Sequence, residues 1–141
     1  MRNGKSVILV VEDSPLICMG AVELVSSAGH EPIEAGDADQ AIRILEARDD
    51  VDLVFTDVQM PGTMDGVDLS HYIRARWPPV KLIIASGAAV LAEIGLPCGS
   101  RFFSKPYDDN AIAETIAYLL ASDDSREPAL RGMGSSAKTC P

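Results

Sequence analysis

An α/β fold built on a parallel sheet is what this sequence points to. Short β-branched runs alternate with segments of helical periodicity from Ser6 to about Ala121, the pattern of strands joined by crossover helices. The first run, through Val7 to Val11, is continuously apolar, as expected of a central strand covered on both faces. Four of the runs end in residues that handle phosphate or metal: Glu12-Asp13, Asp57, Ser86 and Lys105-Pro106. In one parallel sheet the carboxyl ends of such strands share an edge, which gathers acids, hydroxyl and lysine around a single crevice.

Five β/α units fit the length. The first strand is Ser6 to Val11; Ser14-Pro15 supplies an N-cap and a first-turn proline for its helix, and Gly29 closes it. The second strand, Glu31 to Ala35, precedes a helix opened by Asp37 and Gln40 at capping-box spacing. The third strand is Leu53 to Thr56 and ends at Asp57. Its helix begins after Asp65-Gly66, sets Leu69, Ile73 and Trp77 on an inward face, and stops at Pro78-Pro79. The fourth strand is Lys81 to Ala85. From Gly87 to Gly99 there are three glycines and Pro97, which predicts a short or irregular fourth helix. Arg101 to Ser104 is the fifth strand, and the last helix opens at Asp108 or Asp109 with Ile112, Ile116, Leu119 and Leu120 facing the core. After Ser122 the composition turns to Ser, Gly, Pro and charge without periodicity. Residues 1–121 are therefore expected to form one domain and residues 122–141 a disordered tail.

A chain of 141 residues that is 47% hydrophobic supports one core and leaves no room for a second. The net charge of -9 and a pI near 4.5 argue against a nucleic-acid surface, which needs clustered Lys and Arg. Glu12-Asp13 cuts the first apolar run too short for a signal peptide, and no stretch reaches the roughly 18 apolar residues of a membrane span. A cytoplasmic chain is expected. Cys18, Cys98 and Cys140 are odd in number and far apart, so neither a disulfide framework nor a zinc site is indicated. His30 and His71 have no partners at metal or triad spacing.

The chemistry follows from the strand ends. Glu12, Asp13 and Asp57 would crowd like charges into one crevice, a cost that a hard divalent cation relieves. Mg²⁺ suits such a site, since it takes oxygen ligands and shares its shell between few carboxylates, waters and phosphate oxygens. Asp57 can then act as a nucleophile toward phosphorus, giving an aspartyl phosphate. Lys105, a point charge on a long stem, would neutralise the moving phosphoryl group, and Ser86 would bond one of its oxygens.

The motifs V-E-D near the start, D-V-Q-M-P-G after the third strand, A-S-G after the fourth and S-K-P-Y after the fifth resemble the receiver domain of bacterial two-component response regulators. The resemblance covers about residues 5 to 121. It implies a flavodoxin-like (CheY-like) three-layer fold: a five-stranded parallel sheet in the order 2-1-3-4-5 with helices on both faces. It further implies that Asp57 is the phosphoacceptor, Asp13 a direct Mg²⁺ ligand, Glu12 a water-mediated one, and the backbone carbonyl of Gln59 the last protein ligand. Lys105 is implied to pair with the phosphoryl group, aimed by a cis Lys105-Pro106 peptide. Phe102 matches the family's switch aromatic, implied to move inward as Ser86 shifts toward the phosphate.

Two departures stand out. The loop Pro61 to Gly66 is one residue longer than the commonest receiver form, and the interval from Ser86 to Lys105 is shorter. Both resemble the FAT GUY type of stand-alone receiver. A shortened fourth helix puts in doubt the usual signalling face of fourth helix, fifth strand and last helix, and a monomer is expected.

The resulting expectation is a single-domain response regulator, not an enzyme acting on a separate substrate. It takes a phosphoryl group from a sensor histidine kinase or histidine phosphotransfer protein onto Asp57 with Mg²⁺, and signals to a protein target. Two alternatives compete: a degenerate receiver that binds partners without phosphorylation, and a haloacid dehalogenase-like phosphatase. The complete acid, hydroxyl and lysine set argues against the first. Gln59, standing where the phosphatase motif has a second Asp, argues against the other.

Overall fold

The strands β1 (Val7–Val11), β2 (Glu31–Ala35), β3 (Val51–Asp57), β4 (Lys81–Ser86) and β5 (Arg101–Ser104) alternate with helices α1 (Pro15–Ser27), α2 (Ala38–Ala47), α3 (Gly66–Arg76) and α4 (Asp109–Ala121), and Ser136–Ala137 form β6. This architecture comes from a computed structural model that describes residues 5–58, 64–87, 97, 99–121 and 136–137. The sheet order is β2-β1-β3-β4-β5-β6. The first five strands are parallel, and β6 pairs antiparallel to β5.

Alternation along the central strands builds two apolar layers. Leu9, Val11, Val54, Leu82 and Ile84 face one side, where they meet Ala38, Ala41 and Leu45 of α2 and Leu69 and Ile73 of α3. Ile8, Val10, Phe55, Ile83 and Ala85 face the other and meet Ala21, Leu24 and Val25 of α1 and Ile112, Ile116 and Leu119 of α4. All five β1 residues are buried, which explains why that strand reads as an unbroken apolar run.

Local signals hold the helices in place. Asp37 accepts a bond from the Gln40 N–H at 2.9 Å, and the Gln40 side chain reaches back to the Gly36 N–H, one residue earlier than in a strict capping box. Asp65 caps α3 by accepting from the Asp68 N–H at 2.9 Å. Gly29, at φ 93°, takes the left-handed conformation that ends α1. Ser14 differs from expectation: it occupies the cap position ahead of Pro15, but its side chain makes no capping bond. Its N–H instead donates to Glu12 Oε2 at 3.2 Å, so an acid of the strand-end cluster takes over at that turn. Trp77 lies just past the end of α3, half-buried, whereas Leu69 and Ile73 are fully buried.

Within the expected tail, Ser136 pairs with Phe102 and Ala137 with Arg101, on an edge of β5 whose backbone donors and acceptors would otherwise be open. The rest of residues 122–141 lies outside the described residues, as do residues 88–96, on which the short fourth helix was expected. Among the described residues no helix is long and apolar enough to cross a membrane.

Candidate functional site

Parallel pairing brings the carboxyl ends of β1, β3, β4 and β5 to one edge of the sheet, and register decides which residues meet. Asp57 stands opposite Ala85, and Ser86 opposite Ser104. The Glu12 N–H donates to Ala35 O at 3.0 Å, and the Val58 N–H to Ala85 O at 3.0 Å. Glu12 itself, and the residue that follows Asp57, are therefore rooted by a backbone bond to the neighbouring strand.

Glu12 and Asp57 are buried and Asp13 is exposed. One carboxylate oxygen from each lies within 4.8 Å of the others. Lys105 reaches into this group, with Nζ 2.8 Å from Asp57 Oδ1 and 3.6 Å from Glu12 Oε1. The root of that lysine is set by strand pairing, since its N–H donates to Ser86 O at 3.0 Å, and the Lys105-Pro106 peptide is cis. Ser86 is completely buried at the end of β4. Thr56 turns its hydroxyl to the Asp57 carbonyl at 2.9 Å, a structural bond behind the acceptor.

Burial pushes the Glu12 carboxyl above its usual range; the Ser14 N–H bond opposes this, and the charge of Asp57 adds to it. Burial disfavours the Lys105 charge, but the hydrogen bond and attraction of Asp57, with Glu12 adding, outweigh it and hold the ammonium above its ordinary value. Three carboxylates thus cluster together, and one lysine pairs with two of them. The donors are all oxygens of hard character, an arrangement that fits a divalent cation such as Mg²⁺. The Gln59 carbonyl, expected to complete the ligands, lies outside the described residues.

Phe102 is buried and packs in the same apolar layer as Ile84. Two residues of the site escaped sequence reasoning. Gly66, read only as a helix start, presses α3 against the acceptor strand: its N–H donates to Val58 O at 2.7 Å. A Cβ there would stand 2.7 Å from Val58 Cα and overlap the Asp57 carbonyl oxygen. Only the Asp-Gly pair hinted at this close approach. Tyr107 lies beyond the cis peptide with its ring 5.7 Å from Phe55, and burial raises its phenol. A lone tyrosine in a loop carried no signal for that contact.

A family model described as "Response regulator receiver domain" matches residues 8–117. The chain is 34% identical over 113 residues to the response regulator protein FleR of Pseudomonas aeruginosa, covering 78% of this chain and 24% of that protein. It is 30% identical over 115 residues to the transcriptional regulatory protein CpxR of Escherichia coli, covering 80% and 48%. The chain thus spans about a quarter of the first of these relatives and about half of the second. Among solved structures, the signal receiver domain of an HD domain-containing protein from Pseudomonas fluorescens superimposes with a TM-score of 0.78 at 27% identity, covering 86% of this chain and 99% of that one. The response regulator TrrA of Thermotoga maritima, solved in complex with Mg²⁺-BeF, shares the fold with a TM-score of 0.69 at 24% identity, covering 81% and 98%. With its strand order, its gathered acids and a family match that runs from β1 into α4, the chain belongs to the response regulator receiver domains of two-component systems.

Proposed function

We propose that this protein accepts a phosphoryl group on Asp57 from a sensor histidine kinase or histidine phosphotransfer protein and signals by phosphorylation-dependent protein contacts. The observation that carries the reading is the Lys105 ammonium 2.8 Å from Asp57 Oδ1, inside a cluster of three acids. In the transfer, an Asp57 carboxylate oxygen forms a bond to phosphorus while the P–N bond of the donor phosphohistidine breaks. The electron pair leaves with the imidazole nitrogen. Lys105 is placed to follow the charge from carboxylate to phosphoryl oxygen, and the Ser86 hydroxyl to bond another of those oxygens. Glu12, Asp13 and Asp57, with the Gln59 carbonyl, would hold Mg²⁺, which when bound supplies positive charge beside the phosphoryl oxygens. The Thermotoga receiver, of the same fold, carries Mg²⁺ with beryllofluoride.

The donor would approach over α1. Leu16 and Met19 are 78% and 68% exposed, and Ile17 is also open; α1 begins two residues after Asp13. An apolar patch of this kind beside the acceptor suits the apolar face of a donor's helices. In this reading the protein is a cytoplasmic monomer that assists its own phosphorylation and dephosphorylation and addresses proteins, not nucleic acid.

Incubation with acetyl phosphate and Mg²⁺, followed by intact mass, tests the acceptor. One phosphoryl group should appear on the wild type and none on Asp57→Asn. No addition to wild type that binds Mg²⁺ and fails to take up beryllofluoride would turn the reading to a binding-only receiver.

A further inference from the structure

Two pairs of residues, each two positions apart, bridge β3 and the segment after β5. Phe55 and Asp57 share one face of β3 by its two-residue alternation, and Lys105 and Tyr107 stand on either side of Pro106. Lys105 Nζ meets Asp57 Oδ1 at 2.8 Å. The Tyr107 ring meets Phe55 with centroids 5.7 Å apart and planes tilted by 57°. An ionic contact and an aromatic one thus lie side by side. All four residues, with Glu12, line one cavity of about 10 Å³, which has space for at most a single water.

We propose that Tyr107 is a positioning residue for phosphoryl transfer: its ring, braced on Phe55, walls the lysine stem and holds Nζ at the Asp57 carboxylate. The proposal rests on Asp57 being the phosphoacceptor. A lysine carries its charge on four flexible carbons, and that freedom must be lost before the charge serves one geometry. The root of Lys105 is fixed by its N–H bond to Ser86 O, but its tip is drawn by two acids, with Glu12 Oε1 at 3.6 Å. Attraction alone leaves the ammonium a choice between them. Tyr107 is half-buried and packs against the apolar layer that holds Phe55, Val10 and Ala21, so a wall on that side limits the rotamers open to the stem. Truncating the ring enlarges the cavity, admits water and releases the stem, and small misplacements of a catalytic charge are costly in rate. The ring does this and not the hydroxyl, so phenylalanine serves as well as tyrosine.

Two measurements on the full-length chain test this. The NMR order parameter of the Lys105 Cε methylene, read on the metal-free protein, should be high in the wild type and in Tyr107→Phe and should fall in Tyr107→Ala. Tyr107→Leu, which keeps apolar bulk without the ring, should lie between. Equal order parameters in all four proteins would overturn the positioning role, whether or not Asp57 accepts phosphate. The second measurement is the rate of phosphoryl uptake from acetyl phosphate with Mg²⁺, followed by intact mass. It should fall about tenfold in Tyr107→Ala and stay within about twofold in Tyr107→Phe. In a Lys105→Met background Tyr107→Ala should cause no further loss, since a residue acting through the lysine has nothing left to position. A second tenfold fall in that double variant would place Tyr107 in the fold and overturn the proposal. A wild type that takes up no phosphoryl group would overturn the acceptor reading instead, and the order parameters would then decide the role of Tyr107 alone.

Discussion

Lys105 answers two buried acids at once, and much of the local chemistry follows from that imbalance. Removing its charge leaves Asp57 and Glu12 facing each other. Lys105→Met should slow phosphoryl uptake from acetyl phosphate about 100-fold, measured by the rate of mass gain, while Asp57 remains in place. Gly66 shows a different kind of residue dependence, steric instead of electrostatic. Gly66→Ala forces a methyl into the Asp57–Val58 backbone and should cost about 1–3 kcal/mol, read as a lowered urea midpoint. His30 is remote from the site and supplies a pH dependence. Burial lowers its pKa, with Asp52 partly opposing, so the folded state prefers the neutral ring. Its contribution is complete above the unfolded value of about 6.5 and is lost as pH falls toward the folded one. The urea midpoint should therefore drop between pH ~7 and ~5, and drop less in His30→Gln; an equal drop in both proteins would contradict this.

The helices are set by few interactions each, which makes their roles separable. Asp65 both ends the loop after the acceptor strand and caps α3. Asp65→Ala should cost about 1 kcal/mol of stability in urea unfolding. Helix α1 lacks a side-chain cap and presents Leu16 and Met19 to solvent. An element whose inner face is packed against β1 and β2 while its first turns expose Leu16, Ile17 and Met19 is built for contact. Leu16→Glu with Met19→Glu should leave uptake from acetyl phosphate within about twofold and reduce transfer from a phosphorylated kinase or phosphotransfer protein tenfold or more, by the arithmetic of about 1.4 kcal/mol per decade. Loss of both activities together would place those residues in the fold, not the docking face.

Across the whole molecule, the acid cluster at one sheet edge and the β5–β6 pairing are joined by β4 and β5. Ser86 is in register with Ser104, and Ile84 with Phe102, which in turn faces Ser136. Mg²⁺ should raise the melting temperature of the wild type, since a ligand at 100 times its dissociation constant adds about 2.7 kcal/mol, and should do so less in Asp13→Asn. If phosphorylation moves Ser86 and Phe102, Mg²⁺ with beryllofluoride should change amide hydrogen exchange at Phe102 in the wild type and leave Ser136→Pro, which lacks the backbone N–H of that pair, indifferent. Binding of beryllofluoride without such a change would separate the acceptor from the C-terminal segment.

Periodicity and punctuation suffice for most of the fold. The bounds of β2 and β5 are those the sequence predicts: paired phenylalanines mark β5, and β2, with little β-branched content of its own, is bracketed by Gly29 before it and by the Asp37 cap after it. Lys105, Asp57, Glu12 and Ser86 were also legible, since charged or hydroxyl groups that close apolar runs stand out against them. The strand termini differ by one or two residues at β1, β3 and β4, where register with neighbours decides the last pair. The parallel α/β order and the identity of the acids and lysine are therefore written in local pattern, which encodes the residues that end each strand. Tertiary structure alone decided the 2.8 Å approach of Lys105 to Asp57, the need for glycine at position 66 and the pairing of Ser136 with Phe102. Each depends on distances between segments far apart in the chain, which no local pattern carries.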